Sequence, residues 1–141
     1  MLFDNSYDTA WQAIPTLNWL PWVGKNYYQT KILLIGDSYY DDNGGWLEYK
    51  NATREFVKIK GLDSSNRTYA SSPFFRQIEK TILNKPSSTY LDREKIWSSI
   101  AFYNLVQYLL PSRNNRPTHK EFDEGWMTFL DLASVIILHF A

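Results

Sequence analysis

The sequence contains no cysteine. This absence excludes disulfide bonds, thiolate zinc sites, iron–sulfur clusters and a cysteine nucleophile. A net charge is also lacking, because 15 Lys and Arg balance 15 Asp and Glu, so any basic patch that attracts nucleic acid must be local. No run approaches the roughly 18 apolar residues of a membrane span. Asp4 and Asp8 stand where a signal peptide would carry Lys or Arg, so we expect a soluble, cytoplasmic protein without a membrane partner.

Aromatic residues are abundant instead, with six Trp, ten Tyr and eight Phe in 141 residues. A chain of this length is typical of one domain with a single core. Residues 1–30 hold many of these rings but are interrupted by Pro15, Pro21 and Gly24. We expect them to form a short helical turn followed by an aromatic N-terminal cover on the core.

Two segments have the pattern of central strands. Residues 31–36, KILLIG, form a continuous apolar run that ends in glycine, which is typical of a strand covered on both faces in a parallel sheet. Residues 100–110, IAFYNLVQYLL, predict a second strand that ends near Asn104 to Val106. Ligands of such sheets bind at the carboxyl ends of the strands, which directs attention to Asp37 and the residues after it.

Helical patterns surround these strands. We expect a helix from Asn51 to Gly61, a second capped by Ser72, a third capped by Asp92 and a fourth that opens with a capping box at Thr118. The fourth helix is predicted to run on or fray through the C-terminal residues, with one apolar side formed by Phe122, Trp126, Phe129, Leu130 and Ala133. This order of helices and strands predicts an α/β, three-layer fold in which helices flank a parallel central sheet. The predicted sheet has two strands and is therefore expected to be incomplete.

Four segments in this order resemble the uracil-DNA glycosylase superfamily: GDSYYDD, SPFFRQIEK, IAFYNLVQ and PSRNNRPTHKEF. The similarity is greatest to a little-characterised branch whose first motif reads Gly-Glu-Ser-His-Tyr. It spans residues 31 to about 130 and implies one glycosylase-like domain over residues 1–141. The implied function is that of a DNA-repair hydrolase, which excises a base by cleaving its N-glycosidic bond or binds a flipped base, and which needs no cofactor.

The resemblance implies roles for particular residues. Asp37 would position or activate the water that attacks the sugar, and Asn104 would read the flipped base through its amide. Tyr39 or Tyr40 would wall the pocket. Phe74 or Phe75 would stack on the base, and two loop arginines would clamp phosphates. The implied substrate-binding set is Gly36, Ser38, Tyr39, Tyr40, Phe74, Phe75, Asn104, Arg113 and Arg116.

The sequence also departs from the family. Asp replaces Glu at position 37, and Tyr replaces His at position 39. The family's later motif, with its His and its minor-groove loop, has no counterpart, because His119 and His139 lack its context. We therefore interpret the chain as a member truncated at the C-terminus, with impaired activity. An exposed sheet edge left in this way is expected to favour a homodimer.

Two other functions remain open from the residues. The first is a non-catalytic module that binds a nucleotide or single-stranded nucleic acid through stacking aromatics and the basic loop. The second is a Gly-Asp-Ser type esterase with Ser38 as nucleophile, although neither a Gly-x-Asn-Asp block nor an Asp-x-x-His pair is found. No metal site is predicted, because Asp37, Asp41 and Asp42 lack the alternation and closing Glu of a calcium loop.

Overall fold

The computed structural model of the chain describes residues 1–40, 49–62 and 73–140, and side chains through residue 136. Its elements in chain order are α1 (Asp8–Gln12), β1 (Trp22–Val23), α2 (Tyr27–Thr30), β2 (Ile32–Gly36), α3 (Ala52–Phe56) continued by a π-helical turn (Val57–Gly61), α4 (Pro73–Leu83), α5 (Tyr90–Ser99), β3 (Ile100–Asn104) and α6 (His119–Phe140).

The strands form a small mixed sheet in the order β1-β3-β2. β2 and β3 are parallel, in a register that pairs Ile32 with Ile100 and Gly36 with Asn104. This is the parallel pair that the two apolar segments predicted. β1 is antiparallel to β3 and was not predicted, because two residues between Pro21 and Gly24 carry no detectable strand pattern. The fold is therefore α/β with a mixed sheet across the described residues.

Apolar clusters pack on both faces of β3, and its alternating side chains divide between them. Ile100 and Phe102 pack with residues of α4 and α5, including Phe75 and Trp97. Ala101 and Tyr103 join the second cluster, whose members are Tyr7, Trp11, Ile14, Leu17, Leu20, Val23, Tyr27, Leu105 and Leu132. All five residues of β3 are buried. The aromatic N-terminal residues thus contribute directly to the core.

Two of the predicted helix caps differ in the structure. α5 is capped by Thr89, whose hydroxyl accepts from Asp92 N while the Asp92 carboxylate accepts from Thr89 N. Asp92 is therefore the third residue of a capping box rather than the cap itself. Asn51 precedes α3, but its side chain makes no capping bond to that helix. Ser72 lies outside the described residues.

α6 begins with the predicted capping box, since Thr118 N donates to Glu121 Oε2 and Glu121 N donates to Thr118 Oγ1. Its inward face is only in part the one expected, since Phe122 and Phe129 pack against the core as predicted. Trp126 and Leu130 are 46% and 60% exposed, whereas Gly125 and Leu132 are buried. Gly125 brings the helix backbone against the chain just after β3, and this close approach sets the rotation of the helix. None of the helices in the described ranges is long and apolar enough to cross a membrane.

Gly125→Ala tests that close approach. A Cβ at this position would lie 2.5 Å from the Leu105 carbonyl oxygen, which is rigid backbone. Alanine would otherwise stabilise a helix by up to about 1 kcal/mol, but overpacking costs about 1–3 kcal/mol. We expect the free energy of unfolding in urea to fall by about 1 kcal/mol or more. Asp123→Ala, on the exposed side of the same helix, is the control and should change it by less than about 0.5 kcal/mol. A stabilised Gly125→Ala variant would contradict this packing.

Candidate functional site

The candidate site lies where β2 and β3 end side by side. Beyond the strands, the segments that follow β2 and β3 continue side by side. Leu105 N donates to Gly36 O at 2.9 Å, and Val106 N donates to Asp37 O at 2.8 Å. Further along, Leu110 N donates to Tyr39 O at 2.9 Å. The segment after β2 is thus held against the segment after β3 by backbone hydrogen bonds. This attachment fixes the position of Asp37 relative to Asn104.

The Ser38 side chain adds to this attachment. Its hydroxyl lies 2.7 Å from the Tyr108 carbonyl oxygen and 3.2 Å from that of Val106, and the residue is buried. A hydroxyl has a single proton to donate, so the Ser38 proton is directed to backbone carbonyls rather than to a general base. The geometry assigns Ser38 to loop anchoring.

Gly36 makes room for the Asn104 side chain. A Cβ on Gly36 would overlap Asn104 Oδ1 and would lie 3.3 Å from Phe102 Cε2. The absent side chain therefore lets the carboxamide sit against the neighbouring strand. Asn104 is only 2% exposed, and its Nδ2 has no hydrogen-bond partner among the described residues. A buried amide donor without a partner is costly, which marks this group as a candidate ligand contact.

Gln107 holds the loop that follows Asn104. Its Nε2 donates to the Asn104 carbonyl oxygen at 2.6 Å, and its Oε1 accepts from Asn18 N and Trp19 N. This buried side chain links the end of β3 to the N-terminal segment. Sequence reasoning missed Gln107, although a polar residue three positions after Asn104 within an apolar run was the available signal.

The Asp37 carboxylate accepts two hydrogen bonds and forms one ion pair. Ser38 N donates to Oδ1 at 2.8 Å, and the Tyr40 hydroxyl donates to Oδ2 at 2.9 Å. The Arg116 guanidinium also contacts Oδ2, at 2.7 Å. A carboxylate has about four acceptor positions, so Oδ1 keeps capacity for a water or a ligand donor. Asp37 is oriented by its neighbours and remains partly accessible, with 26% of its side chain exposed.

Tyr40 stays protonated in this arrangement. Partial burial raises the pKa of its hydroxyl, and the hydrogen bond to Asp37 and the charge of that carboxylate raise it further, against a smaller opposing effect of Arg116. Tyr40 is therefore a hydrogen-bond donor to Asp37 throughout the neutral range. The backbone of Tyr40 also forms a parallel bridge to Leu110, which fixes the direction from which the hydroxyl reaches the carboxylate.

The predicted stacking and wall residues have different environments. Phe75 is fully buried, with its ring 5.1 Å from Trp97, so it belongs to the core. Phe74 is 45% exposed and contacts Phe102 at a ring separation of 5.6 Å. Tyr39 is buried edge-on against Trp19, and this burial raises its pKa. Among the predicted rings, Phe74 and Tyr40 are the two that a ligand can reach.

The two loop arginines, Arg113 and Arg116, are both exposed. Arg116 reaches back to Asp37 while its side chain remains 70% exposed. Such a pair contributes little to stability in water, so its main effect is to orient the carboxylate. The structure therefore brings Gly36, Asp37, Ser38, Tyr40, Asn104 and Arg116 together, with Phe74 beside Phe102 on the Asn104 face of the strands.

Comparisons with protein-family models, with curated proteins and with solved structures find no match to this chain. Within the described ranges, no group of three or more His, Asp or Glu side chains converges in a way that would hold a metal ion. His119 opens α6 and is exposed.

Gly36→Ala should displace the Asn104 amide. We expect it to lower the free energy of unfolding by about 1–3 kcal/mol, because the added methyl overlaps a buried side chain. The same substitution in an Asn104→Ala background should cost less by about 1 kcal/mol, since the overlapping amide is then gone. Urea unfolding of the four proteins measures this coupling. If Gly36→Ala lowered the free energy of unfolding equally with Asn104 present and with Asn104→Ala, the contact between Gly36 and the Asn104 amide would be contradicted.

Ser38→Ala tests the anchoring role of the hydroxyl. Removing it leaves buried carbonyl groups without their donor, so we expect a loss of about 1–2 kcal/mol in the free energy of unfolding. Ser134→Ala is the matched control, because that hydroxyl also donates to a carbonyl but on the exposed surface of α6. An unchanged stability together with the loss of an ester-hydrolysing activity would instead support the esterase alternative.

Proposed function

We propose that this chain is a uracil-DNA glycosylase-like protein that binds an extrahelical base at the carboxyl ends of β2 and β3. In this proposal Asn104 reads the edge of the base, and Asp37 orients a water toward the anomeric carbon. The single observation that carries the proposal is the buried Asn104 amide, whose Nδ2 has no partner among the described residues and which lies directly across the sheet from Gly36.

The chemistry of a nucleobase fits this amide. The Watson–Crick edge of a pyrimidine offers a carbonyl acceptor beside an N–H donor, and a carboxamide presents the complementary donor and acceptor. Phe74 lies on the same side of the strands, since it contacts Phe102, which in turn lies beside Gly36. An exposed aromatic face near the amide supports stacking of the base.

Asp37 supports the hydrolytic half of the proposal. Its Oδ1 accepts one described hydrogen bond and has room to accept another from a water. Tyr40 and Arg116 hold the second oxygen, so the carboxylate is oriented before a substrate arrives. Pre-organised polar groups of this kind lower a reaction barrier without reorganisation at the moment of reaction.

The same proposal includes the finer fold assignment. The parallel β2–β3 pair and the apolar clusters on both faces of β3 support the three-layer arrangement with a parallel central sheet that the resemblance implies. The exposed loop with Arg113 and Arg116 supports a contact to phosphates, because arginine side chains bind phosphate oxygens in two-pronged geometry.

The test uses a fluorescent single-stranded oligonucleotide that contains one deoxyuridine. Anisotropy measures binding, and alkaline cleavage of the abasic product measures excision. Asp37→Asn should lower excision by about 100-fold or more and change binding less than about threefold. Asn104→Ala should weaken binding by roughly tenfold or more, because a two-point contact to a base edge is lost. Asp123→Asn and Asn114→Ala make the same changes at exposed positions and serve as controls.

A second function is favoured by one observation. Asp37 Oδ2 already accepts a hydrogen bond from Tyr40 and forms an ion pair with Arg116, which is also the arrangement expected of a structural carboxylate in a binding module without catalysis. That alternative predicts binding that depends on Asn104 with no base release from the unmodified chain. Failure of the oligonucleotide to bind at all, or binding unaffected by Asn104→Ala, would rule out both functions at this site.

A further inference from the structure

An open apolar groove lies between β2 and α4. Leu34 lines one side of it, and Phe74, Ile78 and Ile82 of α4 line the other. Its volume is about 460 Å³, within the range of about 300–1,000 Å³ that small-ligand sites occupy. None of the described lining residues carries a charge. Because burial of a charge without a partner is costly, this α4 groove suits a flat neutral group better than an ion.

The α4 groove opens on the same face of the sheet as the Asn104 amide. Leu34 pairs with Phe102, and Gly36 pairs with Asn104. Since alternate residues of a strand share a face, the side chains of Leu34, Phe102 and Asn104 point the same way. Two residues of a strand span about 6.6 Å, which is about twice the 3.4 Å between neighbouring bases on one strand of DNA. The groove is therefore within reach of the nucleotide next to a base held at Asn104.

The edge of the α4 groove is basic. Arg76 and Lys80 lie one helical turn apart on α4, and Lys80 is one turn from Gln77, which lines the groove. Neither cation forms an ion pair with another residue of the described ranges. Glu79, the one acidic residue of α4, is fully buried and accepts from Trp97 Nε1. An apolar groove with a positive edge is complementary to a single nucleic-acid strand, whose bases are neutral and whose phosphates are anionic.

We propose that the α4 groove is the subsite for the nucleotide next to the base held at Asn104. The neighbouring base packs against Ile82, and its phosphate contacts Arg76 and Lys80. The ligand is a single strand, because a neighbouring base that is paired within a duplex cannot enter the groove. This inference rests on the proposed function, since Asn104 defines the position of the first base. The groove holds the second base by packing rather than by hydrogen bonds, so the identity of that base has little effect.

Oligonucleotides that lack one neighbouring base test the subsite. Three fluorescent single strands each carry one deoxyuridine: one is intact, one has an abasic spacer on its 5′ side and one has the spacer on its 3′ side. All three keep the same phosphates. The groove extends from Asn104 in one direction along β2, so one spacer should weaken binding, measured by anisotropy, by about fivefold or more. The other spacer should weaken it by less than about twofold.

Ile82→Ala shows whether that loss arises in the groove. This side chain is 39% exposed and makes none of the proposed contacts to the first base. The variant should bind the intact strand about threefold more weakly and should lose most of the difference between the intact strand and the sensitive spacer strand. Leu91→Ala is the matched control, because it shortens another exposed apolar side chain, on α5, and should bind like the unmodified chain. A spacer effect that persists in full in Ile82→Ala would overturn the subsite.

Charge reversal tests the basic edge. Lys80→Glu should weaken binding of the intact strand by about fivefold or more and reduce its dependence on salt, because a contact to a phosphate is lost. Lys95→Glu makes the same change at an exposed lysine of α5 and should have a smaller effect. Equal losses in the two variants would show an effect of net charge alone and would contradict a phosphate contact at Lys80.

The outcomes separate this subsite from the function proposed above. Binding that requires Asn104 but is the same with either spacer would overturn the subsite and leave the proposed function intact. Binding that responds to one spacer and to Ile82→Ala, but not to Asn104→Ala, would overturn the proposed function together with the assignment of the groove to a neighbouring nucleotide. A chain that binds none of the three strands would overturn both.

Discussion

The candidate site depends on one constraint, the parallel register that places Gly36 directly across from Asn104. Because glycine has no side chain, the Asn104 carboxamide occupies space that any other residue at position 36 would fill. The same register joins the segments that leave the two strands, through Leu105 and Val106. Asp37 then has a defined position directly after β2, held by its backbone contact to Val106. A shift of one residue in this pairing would turn the side chains to opposite faces and separate the groups.

The function we propose makes two demands on Asp37 that oppose each other in part. Contacts from Ser38, Tyr40 and Arg116 orient its carboxylate, and orientation favours catalysis because the polar group need not reorganise. The same contacts occupy acceptor positions that a water would use. The balance rests on Oδ1, which accepts from the Ser38 backbone and keeps further acceptor capacity. A change in the position of Arg116, which is largely exposed, is the simplest way to alter that balance.

Local patterns in the sequence predicted the elements that have strong local signals. The apolar runs before Gly36 and Asn104 identified the parallel strands, and Thr118 with Glu121 identified the start of α6. β1 was missed because its pairing with β3 supplies the stability that two residues cannot supply alone. The inward face of α6 was predicted in part, since Phe122 and Phe129 pack against the core. Trp126 and Leu130 are exposed instead, because the close contact of Gly125 with Leu105 determines the rotation of the helix.

Asp37, Asn104 and Arg116 were named from the sequence, but Gln107 was missed, and the contacts that join these residues were not predicted. No local pattern relates Arg116 to Asp37, or Gln107 to Asn18, because these contacts join segments that are distant in the chain. Burial separated residues that the sequence treats alike: Phe75 belongs to the core while its neighbour Phe74 is accessible. Which of two adjacent rings is buried depends on tertiary packing, and the spacing of neighbouring residues in the sequence does not reveal it.

The central claim is that the Asn104 amide binds a base, and its own resonance tests that claim most directly. In a ¹⁵N–¹H correlation spectrum, the Asn104 side-chain NH₂ pair can be assigned by its loss in Asn104→Ala. Titration with a deoxyuridine oligonucleotide is expected to shift this pair together with the backbone amides of Gly36 and Asp37. Saturating oligonucleotide that leaves the Asn104 pair unmoved, while resonances elsewhere respond, would contradict the account.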